Sequence, residues 1–275
     1  VIKLCHGAFM LPLIVFIAVV MVFIERLWPG NKLPESRGWW LRIAFVNAAQ
    51  LGIVIFAGMT WDKWMAQSSL LKLSSWMNDW WAGAIAYLVS TLVYYFWHRL
   101  RHESEFFWRL CHQLHHSPRR IEVLASFYKH PVEIFLNALI SSTLVYLILG
   151  CSVQAAAIYT LFAAVAEYFY HWNIRTPRWI GWMIQRPEAH RVHHAYHHHS
   201  QNYADLPLWD WLFGTLNNPV ISPQRCGFDP AREQRFMEML AFRDVHKTTQ
   251  GLPVQCFGCR KRWACLAGKS EPKAS

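Results

Sequence analysis

Apolar residues gather into five long runs, at about 8–24, 43–60, 82–97, 133–150 and 152–170. Each is close to the roughly 17–25 residues that carry a helix across a bilayer. The pattern therefore predicts an all-α chain of several membrane spans. The third run is short and carries Tyr87, Tyr94 and Tyr95, which puts its end in the interface. The fourth and fifth are parted only by Gly150 and Cys151, so they predict a tight helical hairpin.

The polar residues between the runs give an orientation. Arg26, Lys32, Arg37 and Arg42 follow the first run, but only Lys63 and Lys72 follow the second. Arg99, Arg101, Arg109, Arg119, Arg120 and Lys129 follow the third, and no Lys or Arg follows the fourth. Arg175, Arg178, Arg186 and Arg191 come after the fifth. Cationic loops stay on the cytoplasmic side, so the segments after runs one, three and five are expected there. Half-embedded spans, or a fourth and fifth run that do not fully cross, are the alternative arrangement.

Composition agrees with a membrane setting. Charged residues make up 16% of the 275 positions, against roughly 25% in soluble domains. Sixteen Trp and ten Tyr suit interfacial belts. The net charge of +10 reads as a basic face against anionic lipid. No nucleic-acid module accompanies it. Seven irregularly spaced Cys do not form a disulfide framework and fit a reducing compartment. The first apolar run leads into Glu25, Arg26 and Pro29 without a small-residue cleavage site, so it is not expected to be a cleaved signal peptide.

Nine histidines are packed into the polar segments. They read His98-R-L-R-His102, His112-Q-L-His115-His116, His171 alone, and His190-R-V-His193-His194. Spacings of three and four put imidazoles on one helical face, and the predicted topology brings all four clusters to one membrane surface. Nine imidazoles are too many for one metal ion and about right for two. The clusters contain no thiolate, which disfavours a structural zinc ribbon, and the H-E-x-x-H signature is absent. Iron, zinc, copper and nickel all accept imidazole, so ligand type alone leaves the metal open.

The clusters His98-R-L-R-His102, His112-Q-L-His115-His116 and His190-R-V-His193-His194, followed by Asn202-Tyr203 and by L-W-D-W-L-F-G-T at 208–215, resemble the fatty acid hydroxylase/sterol desaturase superfamily of integral-membrane di-iron oxygenases. The resemblance runs from about Tyr94 to Thr215, and within the superfamily the layout is similar to the alkylglycerol monooxygenase branch. It implies a four-helix transmembrane core and a cytosolic helical cap with two iron ions. O2 would be the co-substrate, and the reaction would be hydroxylation or desaturation of a lipid C–H bond. The substrate would be fatty acyl, sterol-like or an ether lipid, and the setting a bacterial inner membrane. Carried over by position, the metal-binding and catalytic residues are His98, His102, His112, His115, His116, His171, His190, His193 and His194. Some members have a further His four residues before the one matching His171; here that position is Glu167, a candidate ligand or partner of a ligand. His130, in a His-Pro pair, is a weaker candidate. Trp211 stands where the family commonly has Arg, which puts any role of that Arg in doubt.

The expected organisation is membrane spans over 1–97, a catalytic region over 98–224, and a soluble tail over 225–275. The chain shows no haem module, dinucleotide fingerprint or ferredoxin cysteine set, so a separate ferredoxin- or cytochrome-type donor is expected. Arg99, Arg101, Arg109, Arg119 and Arg120 would dock it. Several residues read more plainly. His197, His198 and His199 suggest a solvated loop, and His6 and His246 suggest surface positions. Cys256, Cys259 and Cys265 fall short of a paired metal knuckle. Asp210 is expected to orient a ligand histidine. Two rival functions are a metal-dependent membrane hydrolase and a metal-binding or transport protein. The second would need ionisable residues inside the spans, and the first, second and fourth runs have almost none.

Overall fold

The computed structural model describes residues 2–196 and 198–247, and the described residues contain helices but no strand. In chain order these are α1 (Ile2–Leu27), α2 (Trp39–Met59), α3 (Trp61–Gln67) and α4 (Asp79–Glu103). Next come α5 (Glu105–Phe107), a wide π-helical turn at Trp108–His112, and α6 (Gln113–His116). Then follow α7 (Pro131–Ser142), which runs on through a π-helical turn at Thr143–Ile148, and α8 (Val153–His171). The short helices α9 (Pro187–His193), α10 (Pro207–Leu212), α11 (Pro230–Glu233) and α12 (Phe236–Leu240) finish the cap.

The boundaries have local causes. Asn78 caps α4 by accepting from Trp81 N at 3.1 Å, and Ser152 caps α8 by accepting from Ala155 N at 3.1 Å. Gly150 turns the chain between α7 and α8 at φ +67°, and a Cβ there would stand 2.6 Å from Lys72 N. Only glycine accommodates both demands. His130 caps α7, its Nδ1 accepting from Val132 N at 3.0 Å, with Pro131 in the first turn.

The core is a bundle built on α4 and α8. Ala82, Gly83 and Ala86 meet Ala155, Ala156 and Ile158 there. A Cβ on Gly83 would come within 2.6 Å of Ala155 O, so small residues set the close approach of the two backbones. On α8's other side, α1 packs Ile14 and Met21 against Leu161, Ala164 and Tyr168. Outward, α1 and α2 expose Phe16, Val19, Phe23, Phe45, Val54 and Phe56, an apolar surface suited to acyl chains rather than water.

Three helices are long and apolar enough to cross a membrane, at Met10–Leu27, Trp39–Met59 and Pro131–Ile148. They correspond to the first, second and fourth apolar runs. The third and fifth runs do form long helices, of 25 and 19 residues. Of these, α4 carries Asp79 in its first turn and ends in Arg99, Arg101 and Glu103, and α8 buries its apolar residues against α4 and α1. Exposed Trp28 and Trp40 mark the end of the bundle near the cap, and exposed Trp64, Trp76, Trp80 and Trp81 mark the far end. The two girdles are placed as interfacial belts are.

The stretch beyond 225 is not independent of the core as far as it is described. Phe228, Met239 and Val245 are buried with Trp39, Trp108, Leu114 and Tyr128. His246, expected at the surface, is 3% exposed and packs edge-on against Phe228 at 4.4 Å. Cys256, Cys259, Cys265, His197 and the His6 side chain lie outside the described residues.

Candidate metal centre

The nine histidines come from four elements that meet at one end of the bundle. His98 and His102 sit one turn apart on α4, and His171 ends α8. His112, His115 and His116 lie at the π-turn and α6, and His190, His193 and His194 on or just after α9. Their ring nitrogens form two groups. One is His98, His102, His112, His116 and His193; the other is His115, His171, His190 and His194, and within each the ligand atoms lie within 4.8 Å of one another.

The two triplets are divided in the same way. In each, the first and last histidines join one group and the middle one crosses to the other. Helical geometry explains this. Relative to position i, position i+4 is displaced about 40° to one side and position i+3 about 60° to the other. One triplet can thus face two ions at once, and α6 and α9 each contribute to both groups.

The rings are held by their outer nitrogens. His98 Nδ1 lies 2.7 Å from Tyr203 O and His193 Nδ1 2.8 Å from Gln201 O. His171 Nδ1 lies 2.9 Å from Glu167 O and His115 Nδ1 3.2 Å from Tyr128 O. His112 Nδ1 lies 3.2 Å from both carboxylate oxygens of Glu133, which also forms a buried ion pair with Arg101. Carbonyl oxygens only accept, so the Nδ1 atoms of His98, His193, His171 and His115 carry their rings' protons; His112 Nδ1 lies equally 3.2 Å from Arg101 Nη1, a donor, and from the Glu133 carboxylate. A neutral imidazole has one proton, so the Nε2 of each of those four rings is left with a bare lone pair.

The Nε2 atoms converge. His102 Nε2 and His112 Nε2 are 3.0 Å apart, His171 Nε2 and His190 Nε2 3.2 Å, and His190 Nε2 and His194 Nε2 3.0 Å. Two nitrogens bonded to one metal ion at about 2.1 Å stand about 3.0 Å apart at a right angle and about 3.4 Å apart at a tetrahedral angle. The donor set and its spacing therefore fit metal ions. Buried Nε2 atoms of His98 and His116 also have no hydrogen-bond partner.

Electrostatics keep the rings ready. Burial pushes His98, His112, His115, His116, His190 and His194 well below the usual histidine range, and neighbouring imidazoles add to the shift. For His112 the Arg101 guanidinium is the next cause after burial. His171 is lowered to about 3, again chiefly by burial. Neutral imidazole is the form that binds metal.

The loop after α9 fixes two of the rings. Gln201 and Asn202 take positive φ, 69° and 51°, in the turn that presents the Gln201 and Tyr203 carbonyls to the centre while Asn202 O accepts from Gln185 Nε2. Asn202 holds the loop through Nδ2 bonds to Ala189 O and Asn217 O, both at 2.8 Å. Asp210 accepts from Tyr203 N at 2.8 Å and Ala204 N at 2.9 Å. Asp210 therefore acts on His98 through the loop backbone rather than by touching the ring.

Three expectations change. The Glu167 carboxylate is paired with Lys129 and stands outside both groups; its backbone carbonyl is what holds His171. His130 is a helix cap, with its Nε2 3.2 Å from Leu240 O, and also stands outside both groups. His199, read as solvated, is 2% exposed with its Nδ1 2.9 Å from His116 Nδ1. Its position in a polar run gave no sign of this. Glu133 was missed as well, because one carboxylate near the start of an apolar run does not announce a histidine partner 21 residues upstream.

A cavity of about 360 Å³ opens from the histidines into the bundle. His98, His115 and His190 line its inner end, and Tyr146 and Asp62 its far end. Along α8 its wall runs from Ala156 to Glu167, about 16 Å at the helical rise per residue.

Comparison with known proteins accords with this arrangement. Residues 83–215 match the family model "Fatty acid hydroxylase". The chain is 28% identical over 219 residues to ornithine lipid hydroxylase OlsE of Rhizobium tropici, covering 74% of this chain and 65% of that protein. It is 28% identical over 217 residues to alkylglycerol monooxygenase of Danio rerio, covering 74% of this chain and 45% of that protein. It is 28% identical over 140 residues to very-long-chain aldehyde decarbonylase GL1-9 of Oryza sativa subsp. indica, covering 48% and 54%. The chain thus spans less than two thirds of each relative's own length. No solved structure matches it. The span from the third apolar run through the last histidine triplet and its following loop is a fatty acid hydroxylase domain, the domain of the fatty acid hydroxylase/sterol desaturase superfamily.

Proposed function

We propose that this protein is an integral-membrane, O2-dependent oxygenase that hydroxylates or desaturates a C–H bond of a lipid at a histidine-held pair of iron ions. The observation that carries the reading is the cavity that joins a bundle with an apolar outer surface to both histidine groups. A metal pair held there would supply the power to activate O2, which no side chain of this chain can provide.

The chain's own residues do the rest. The histidines hold the ions, and the Tyr203, Gln201, Tyr128 and Glu167 carbonyls with the Glu133 carboxylate fix the rings. The apolar wall of α2, α7 and α8 takes the lipid chain out of water, and its length of about 16 Å suits an extended acyl or alkyl chain. Relatives that hydroxylate an ornithine lipid and oxygenate an alkylglycerol support a lipid substrate. Electrons come from a separate ferredoxin- or cytochrome-type carrier, and the basic cap faces the cytoplasm of the bacterial inner membrane. Exposed Arg109, with partly exposed Arg119, is the docking surface for that carrier; Arg101 is buried against Glu133 and is withdrawn from that role.

The test is metal content of detergent-purified protein, with a His115→Ala/His193→Ala variant beside it. The expected result is about two iron ions per chain, their loss in the variant, and an oxygenated lipid product that requires both O2 and a reductant. A lipid product formed without O2 or reductant would instead establish the hydrolase. Absence of bound metal after iron-replete growth would overturn both readings.

A further inference from the structure

The charges that line the cavity are unevenly satisfied. Among the described residues its two cations, Arg101 and Lys129, are each committed to a carboxylate, Glu133 and Glu167. Two further carboxylates, Asp205 and Asp62, face the same cavity and form no ion pair among the described residues. Asp62 stands at the far end. Asp205 stands at the histidine end, only half-buried because it faces the cavity.

Asp205 is held by phenols rather than by a cation. The Tyr87 hydroxyl lies 3.5 Å from Asp205 Oδ2, and the Tyr170 hydroxyl also donates to it. Tyr170 in turn packs on His190 with ring centroids 4.5 Å apart. One tyrosine ring therefore separates this carboxylate from the candidate metal centre. Two neutral hydroxyls stabilise a carboxylate in a low-dielectric cavity less than a cation does. Burial, and next the Glu167 carboxylate, push Asp205 up to about 7. The local field thus repels a further anion and leaves a cation the missing partner.

We propose that Asp205 is a substrate-positioning residue that receives a cationic amine on the polar part of the lipid, so that oxidation falls near the amine-bearing end. This rests on the lipid-oxygenase reading above and narrows it to amine-bearing lipids. A free fatty acid is disfavoured at this position because no uncommitted cation lines the cavity to meet its carboxylate. The apolar tail then runs toward Tyr146, along the wall already described.

The experiment is equilibrium dialysis of detergent-purified protein against radiolabelled dodecylamine, dodecanol and dodecanoate, with no reductant present. The wild type is expected to hold the amine at least about tenfold more tightly than the carboxylate, the scale of one charge-assisted contact. Asp205→Asn should lower amine binding about tenfold and leave the alcohol within about twofold, whereas Asp62→Asn should change neither. Equal losses of amine and alcohol in Asp205→Asn would show a structural role and overturn the proposal, as would amine binding that does not fall. If Asp205→Asn cannot be purified folded, Tyr87→Phe decides. A reduced amine-to-alcohol ratio supports the proposal, and an unchanged ratio overturns it. Since binding is read without turnover, an inactive protein that still selects the amine through Asp205 would sink the oxygenase reading alone.

Discussion

Replacing Glu133 by Leu tests whether a carboxylate outside the histidine groups governs the metal. The Glu133 side chain is 0% exposed and its Arg101 partner 5% exposed. Removing one member of a buried pair leaves an uncompensated charge and costs about 3–5 kcal/mol, a large part of the roughly 5–15 kcal/mol that holds a typical protein folded. The same change takes away the carboxylate that contacts His112 Nδ1, on the far side of the ring from the Nε2 that faces His102 Nε2. Loss of such an orienting partner weakens metal binding by about 10–100-fold. The two effects are separable. In Arg101→Met/Glu133→Leu the pair is exchanged for apolar groups, so stability should return to near wild type while His112 still lacks that carboxylate. Metal retained against a graded chelator, read beside the thermal midpoint, reports both. The expected result is a low midpoint only in the single variant and weakened metal retention in both. The loss should fall on the five-histidine group, because Glu133 touches no residue of the other in any hydrogen bond described above. A stably folded double variant that keeps wild-type metal retention would refute the reasoning.

Three further outcomes follow from the geometry. In metal-free protein the buried histidines have folded-state values below the ordinary 6.5. As pH falls through about 6.5 the unfolded chain gains protons that the folded one refuses, so stability should fall with falling pH, seen as a declining thermal midpoint between about pH 8 and pH 5. Gly227 has φ +73° and a Cβ there would meet Pro118 O at 2.2 Å, so Gly227→Ala should lower thermal stability by at least about 1–2 kcal/mol; an unchanged midpoint would show that the segment after 225 is not held against the core. Ala138→Phe places a ring in the cavity wall, and it should abolish binding of long alkyl chains while leaving metal content unchanged, as read by the dialysis and elemental measurements above.

Much of the site was legible in advance because histidine is rare enough for its spacing to carry information. All nine clustered histidines are drawn into the two groups. What was not legible is instructive. His199 resembles its neighbours His197 and His198 in a polar run, and only the fold of the loop buries it against His116. Glu167 shares a helical face with His171, which made it a plausible ligand, yet Lys129 from another segment takes its carboxylate. His130 looked similar to a ligand by type, but its position before Pro131 makes it a cap. The five apolar runs do form helices, but hydrophobicity summed along a run does not distinguish a lipid-facing surface, as on α1 and α2, from one packed on other helices, as on α8.

The sequence by itself determined the helical architecture, the apolar character of the bundle and the identity of the histidines, because these depend on periodicity and on residue type within a turn or two. Tertiary structure alone decided which clusters share a group, which carbonyl or carboxylate contacts each ring, and where the cavity runs. Those outcomes depend on the approach of segments far apart in the chain: Tyr203 to His98, Glu133 to His112, and Asp205 to Tyr87. Local sequence does not encode such distances. They are set by how the helices and the loop after α9 pack together, as where the missing side chain of Gly83 lets α4 approach α8.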